Sequence, residues 1–230
     1  MHIPDGYLGP QTYAPLFGVS IAFWSVALKK WKQELSTKHV PYLAMASAFS
    51  FLIMMFNIPI PGGTTGHAVG GGIIAILLGP WAAVIAVSVV LIIQAVVFGD
   101  GGITAIGANC FNMAVVMPFV SYWVFKLAGG DFKSPPRLYT AAFLSGYIGL
   151  TMSAILTGIE FGIQPLIAQG TDGRPLYAPY PLSIAVPVMA LEHMLLFSVV
   201  EGLITVLLLK HFLKHESDLV YALRAREDVQ

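Results

Sequence analysis

Uninterrupted apolar runs as long as a bilayer is thick constrain this chain more than any motif within it. A bilayer core takes about 20 apolar residues per helix. Runs of that kind lie near residues 13–31, 40–57, 66–78, 80–98, 103–128, 137–160 and 182–210. Hydrophobic residues make up 57% of the chain and charged residues 10%, against roughly 45–50% and 25% in soluble domains. The chain therefore reads as an all-α polytopic membrane protein, a single transmembrane domain over residues 1–230. Its formal net charge is zero, which gives no electrostatic ground for a nucleic-acid partner.

Residues 66–98 exceed one bilayer width, and the Gly79-Pro80 breaker pair divides them into a short helix, a tight turn and a full helix. Charge placement gives an independent count. With seven crossings and the N-terminus outside, Lys29, Lys30, Lys32, Lys38, Lys126, Lys133, Arg137, Lys210, Lys214, Arg224 and Arg226 are all cytoplasmic, and only Arg174 is outside. That bias is the one expected of cytoplasmic loops. Joining 66–98 into a single span would set the basic 126–137 and 29–40 loops on opposite faces. Seven crossings are expected, with the C-terminus cytoplasmic. The outer face then holds Met1-His2, the 58–66 loop, the Gly99-Asp100-Gly101-Gly102 turn and the 160–182 loop.

No basic stretch precedes the first apolar run, since the first lysine is Lys29, so no cleaved signal peptide is expected. That matters for Met1-His2. The α-amine of Met1, the amide nitrogen of His2 and a ring nitrogen of His2 can close two adjoining chelate rings, with three nitrogens in a plane and a fourth corner open. Square-planar nitrogen coordination suits Ni(II) or Cu(II). The stretch Asn57-Ile58-Pro59-Ile60-Pro61-Gly62-Gly63-Thr64-Thr65-Gly66-His67 specifies a shaped loop. It sets His67 at the expected start of the third helix, where the helix dipole favours a neutral imidazole. His67 is suited to the open corner, although a lone His at a helix end is more often a cap or a hydrogen-bonded surface group.

Gln94, Asn109, Asn112, Glu192, His193 and Glu201 fall inside expected helices, where polar groups are costly. A structural network joining helices is the expected role for most of them. Glu192-His193 belongs to no H-E-x-x-H motif and is expected deep in the last helix, away from the Met1-His2 claw. Asp100 is on the side where it can orient a ligand, offset metal charge or cap a helix. Cys110 is expected to be a small packing residue. No Walker A loop, C-x-x-C or nucleophile elbow is present, so any ATP hydrolysis belongs to another chain.

MHIPDG at the start, NIPIPGGTTGHAVGG at 57–71 and FGDGGITAIGANCFNMAV at 98–115 together resemble the CbiM/NikM family. These are the substrate-capture (S) components of energy-coupling-factor transporters for cobalt and nickel. The resemblance implies a six-helix S-component core with one extra N-terminal helix. It also implies a metal held by the Met1 amine, the His2 amide and ring nitrogens and the His67 ring, with no resident cofactor. Implied partners are a transmembrane coupling (T) protein, a pair of cytoplasmic ATPases and a small extra membrane subunit. Ala44 and Ala48 fit the small-residue stripe by which S components meet the coupling protein, and generic helix packing fits them as well. The expected function is capture of Ni²⁺ or Co²⁺ at the outer face for ATP-driven import. Two other functions compete with it: a secondary transporter or channel using Glu192, His193 and Glu201 as a polar path, and an intramembrane metalloenzyme centred on Glu192-His193.

Overall fold

The structure, a computed structural model, describes residues 1–34, 40–60, 64–129 and 135–216. Lys38, Lys133, Arg224 and Arg226, and the loop residues Pro61, Gly62 and Gly63, lie outside the described residues. Among the described residues the main helices are α1 (Pro10–Glu34), α2 (Val40–Met54), α3 (Gly71–Leu78), α4 (Pro80–Phe98), α5 (Ile106–Leu127), α6 (Pro135–Gly162) and α7 (Leu182–His215), with one short turn of helix at Gln164–Ile167 after α6. Among the described residues, four spans are long and apolar enough to cross a membrane: Pro80–Phe98, Ile106–Leu127, Pro136–Ile167 and Leu182–His215. α2 is a shorter apolar helix of 15 residues.

The breaker pair acts as its chemistry dictates. Gly79 takes φ +86°, a conformation L side chains rarely adopt, and Pro80 opens α4 where its missing N–H costs nothing. One expectation of pure helix fails. Ile58–Ile60 and Thr64–Gly66 pair as a short antiparallel hairpin, with Pro59 opposite Thr65. The prolines and glycines read as a loop thus include a two-stranded ribbon.

α7 shows the inverted polarity of a lipid-facing helix. Leu195, Leu203 and Leu207 are exposed, while His193, Glu201 and Thr205 are fully buried. In lipid, apolar side chains face outward without cost and polar groups must find partners inside. Close helix contacts rest on small residues. A Cβ on Gly146 of α6 would lie 3.1 Å from the Gly202 Cα of α7, and one on Gly107 of α5 would lie 2.5 Å from the Phe17 Cα of α1. α1 is also tied by the Ser20 hydroxyl to the Gly107 carbonyl (2.7 Å) and by the Trp24 indole N–H to Ser88 (2.9 Å). Cys110 is buried and unbridged, a packing residue as expected.

Candidate metal centre

Met1 and Ile3 are wholly buried and His2 nearly so; the first residues are threaded into the protein rather than left in solvent. Asn109 holds Ile3 from both sides: the Ile3 N–H donates to its Oδ1 (2.9 Å), and its Nδ2 donates to the Ile3 carbonyl (3.2 Å). The Gly102 N–H donates to the same carbonyl at 2.8 Å. Asp5 accepts from the Ile103 N–H (3.1 Å), the Thr104 N–H (2.9 Å) and the Thr104 hydroxyl, and the Thr104 bonds hold its carboxyl below the usual range. Farther along, the Gly9 N–H donates to Gln164 Oε1 (2.9 Å), and the Ala178 N–H to the Tyr7 carbonyl (3.1 Å). Gly102 is needed for its lack of a side chain: a Cβ there would lie 2.4 Å from the Asp5 nitrogen.

This threading brings His2 against His67. The Nδ1 of His2 and the Nε2 of His67 are 2.9 Å apart, with ring centroids at 4.6 Å and planes inclined by 31°. The outer nitrogen of each ring meets an acceptor: His2 Nε2 lies 3.2 Å from Gln94 Oε1, and His67 Nδ1 lies 3.1 Å from the Ala68 carbonyl. Carbonyl oxygens take N–H groups, so the tautomers that serve these two acceptors are the ones that leave the inner nitrogens free to bind a shared metal. A metal at about 2.0–2.1 Å from two cis imidazole nitrogens sets them about 2.9 Å apart. The inner pair therefore has the spacing of one edge of a square-planar site. His2 Nδ1, the nitrogen that closes the chelate ring with its own amide, is one of the two.

Burial favours the unprotonated forms of all three groups. Burial lowers the Met1 amine from 8.0 to about 5, against the opposing pull of Asp100 and Glu192. Burial, then the terminal amine's charge, lowers His2 to about 3, with the Gln94 hydrogen bond opposing. His67 falls well below its ordinary value, through burial first and then the charges of the terminus and His2. Neutral amine and imidazole are the forms a metal takes. Asp100 supplies the nearby negative charge, 3.4 Å from His2 Nδ1, with its other oxygen accepting from Asn57 Nδ2 at 3.2 Å. Burial raises its pKa, while the terminal amine and Asn57 hold it down. Among the described residues, no group of three or more His, Cys, Asp or Glu side chains is placed to hold a metal.

Two sequence expectations need correction. His67 does not start a helix, because α3 begins at Gly71; burial, not a helix dipole, keeps its ring neutral. The α3 N-terminus is instead satisfied by Glu201, whose Oε2 accepts from the Val69 N–H (2.8 Å) and the Gly70 N–H (3.0 Å). Nor is Glu192-His193 remote from the claw. Glu192 acts electrostatically on the Met1 amine, and His193 on His67. Asn112 plays the structural part expected of it, donating to Glu160 (2.8 Å) and Thr157 (3.1 Å) on α6. The clamp by Asp5 and the orienting of His2 by Gln94 went unforeseen. Their partners are 92 or more positions away in sequence, beyond any local signal.

Residues 2–219 match the family model of the CbiM cobalt uptake substrate-specific transmembrane region. The chain belongs to this CbiM family. It is 55% identical over 207 residues to a fused nickel transport protein NikMN of Rhodobacter capsulatus, an alignment covering 89% of this chain and 59% of the relative. It is 46% identical over 220 residues to a putative metal transport protein of Methanocaldococcus jannaschii, covering 95% and 94%. A cobalt transport protein CbiM of Ruminiclostridium cellulolyticum is 36% identical over 177 residues, covering 74% and 68%. A crystal structure described as a transition metal transporter superposes with a TM-score of 0.90 at 44% identity, over 98% of this chain and 100% of that one. The chain spans only about three-fifths of the fused relatives, 59% of the Rhodobacter protein and 62% of a probable fused nickel transport protein LarMN of Lactiplantibacillus plantarum. Like the rest of the CbiM family, it is a multi-pass membrane protein.

Proposed function

We propose that this CbiM-family chain captures Ni²⁺, or Co²⁺, at the outer face of the cell membrane as the substrate-specific subunit of an ATP-driven importer. It crosses the membrane seven times, with its N-terminus outside and its C-terminus in the cytoplasm. ATP hydrolysis belongs to a pair of cytoplasmic ATPases, coupled through a transmembrane T protein, with a small extra membrane subunit where one is present. The metal is held by the Met1 amine, the His2 amide and Nδ1, and His67 Nε2. One observation carries this reading: the Nδ1 of His2 and the Nε2 of His67 stand 2.9 Å apart beside the buried Met1 amine. Four nitrogens in a plane favour nickel over cobalt on chemical grounds. The polar-path alternative gains no support from Glu201, whose carboxylate caps α3.

The test is metal analysis of the purified protein with Ni²⁺ and Co²⁺ offered in competition. The expected result is about one metal per chain, with a diamagnetic square-planar Ni(II) spectrum, lost in His67→Ala while the fold survives. A paramagnetic octahedral Ni(II) signal, or full metal content in His67→Ala, contradicts the assignment.

A further inference from the structure

Of the six histidines in the chain, only His211 and His215 stand four residues apart. Both lie in the last turns of α7, where that spacing stacks two side chains on one face of a helix. Their ring centroids are 4.8 Å apart, with planes inclined by 40°. The His2 and His67 rings, whose facing nitrogens are 2.9 Å apart, have nearly the same arrangement, at 4.6 Å and 31°. His211 and His215 are both exposed, so each ring can turn about its χ2 bond at little cost and bring a nitrogen toward the other. One ion can bridge such a pair.

The end of α7 also suits a cation. The last carbonyls of a helix carry partial negative charge. The Glu216 N–H takes up the Phe212 carbonyl at 2.7 Å, and the Glu216 side chain lines the same cavity as His211, between α2, α3 and α7. Its carboxylate thus adds negative charge on the His211 side. Lys210 and Lys214, both exposed, oppose this. No third His, Cys, Asp or Glu side chain joins the pair as a ligand among the described residues, which leaves the other coordination positions to water. The pair is well separated from the claw. Phe197 packs on Gly66, beside His67, and from residue 197 to residue 211 α7 rises about 21 Å.

We propose that His211 and His215 form a second metal site, a weak and exchangeable one for late first-row divalent cations such as Ni²⁺. Imidazole is a ligand that suits these ions. On binding, one nitrogen of each ring replaces a water of the hydrated ion, and the metal stays divalent. The site stands on its own geometry. Its place at the cytoplasmic end, the side to which an imported ion is delivered, rests on the capture reading above. Two imidazoles completed by water, with lysines close by, bind well enough to accept an ion and weakly enough to release it.

The experiment titrates Ni²⁺ into the full chain, purified without a histidine tag, and counts bound metal by equilibrium dialysis. Two equivalents are expected, the second held at least about tenfold more weakly than the first. His211→Gln and His215→Gln should each remove the second equivalent and keep the first, with helix content by circular dichroism unchanged because both side chains are exposed. In His2→Ala/His67→Ala protein the tight equivalent should go and the weak one stay. Pulsed EPR of Cu²⁺ in that doubly substituted protein is the second measurement: two coupled imidazoles are expected, and one overturns the proposal. A parent that binds a single equivalent, or a second equivalent indifferent to both glutamine substitutions, also overturns it. If the doubly substituted protein keeps the tight equivalent, the capture reading fails, and the response of the weak one to His211→Gln still decides this site separately.

Discussion

Asn109→Leu should weaken metal binding without touching a single donor nitrogen. The substitution keeps the side chain's branching, though with greater bulk, and removes both hydrogen bonds to Ile3, at 2.9 and 3.2 Å. The Ile3 carbonyl retains the Gly102 N–H, but the buried Ile3 N–H loses its acceptor. Losing the bonds and orphaning a buried donor together cost about 2–4 kcal/mol. That loss falls on docking of the N-terminal segment, because both hydrogen bonds it removes are to the Ile3 backbone. If the segment undocks in the metal-free protein, apparent affinity falls by the fraction still docked, at most about 30- to 1,000-fold. Chelator competition with Ni²⁺ reads the affinity, and hydrogen exchange of the first residues reads the docking. Asn109→Asp, which keeps the acceptor for the Ile3 N–H, should recover much of the loss. Binding as tight as the parent's with unchanged exchange would refute the reasoning.

Glu201→Ala should destabilise the fold rather than the site, by about 2–5 kcal/mol for two buried N–H groups left unpaired at the start of α3. Thermal unfolding checks this, Glu201→Gln should recover part of it, and an unchanged transition contradicts it. A pH dependence follows from the Met1 amine, lowered from 8.0 to about 5 by burial. Between those values the released segment holds a proton that the docked amine lacks. Docking therefore strengthens as pH rises from about 5 to 8, and the gain is complete above that window. Hydrogen exchange of the metal-free protein across this range tests the sign; protection that falls with rising pH contradicts it.

The membrane class and the helix spans were legible in the sequence because lipid imposes length and polarity rules on every crossing. Gly79-Pro80 divided α3 from α4 as its backbone chemistry requires. The meeting of His2 with His67 was legible because the chelate geometry of a second-position histidine is local and leaves a corner for one more ring nitrogen. What surrounds them was not. Asp5 reaches Thr104, Asn109 reaches Ile3 and Gln94 reaches His2, each across more than 90 residues, through packing that no periodicity encodes. The placement of His193 was misjudged for a related reason. Phe197 and Glu201 of α7 meet Gly66, Val69 and Gly70, contacts across more than 130 positions of sequence. The short hairpin was hidden by its prolines, which on a two-stranded ribbon are tolerated at an open edge.

The central claim is that the chain's own amine is a metal ligand. Comparing Ni²⁺ content in protein with a free Met1 amine, with one Gly added before Met1, and with a C-terminal tag, at equal folding, tests it most directly. The added residue turns the amine into an amide and moves the claw, so the extended protein should lose tight binding while the tagged protein keeps it. If the extended protein holds Ni²⁺ as tightly as the native one, the claw is wrong and His67 acts with other donors.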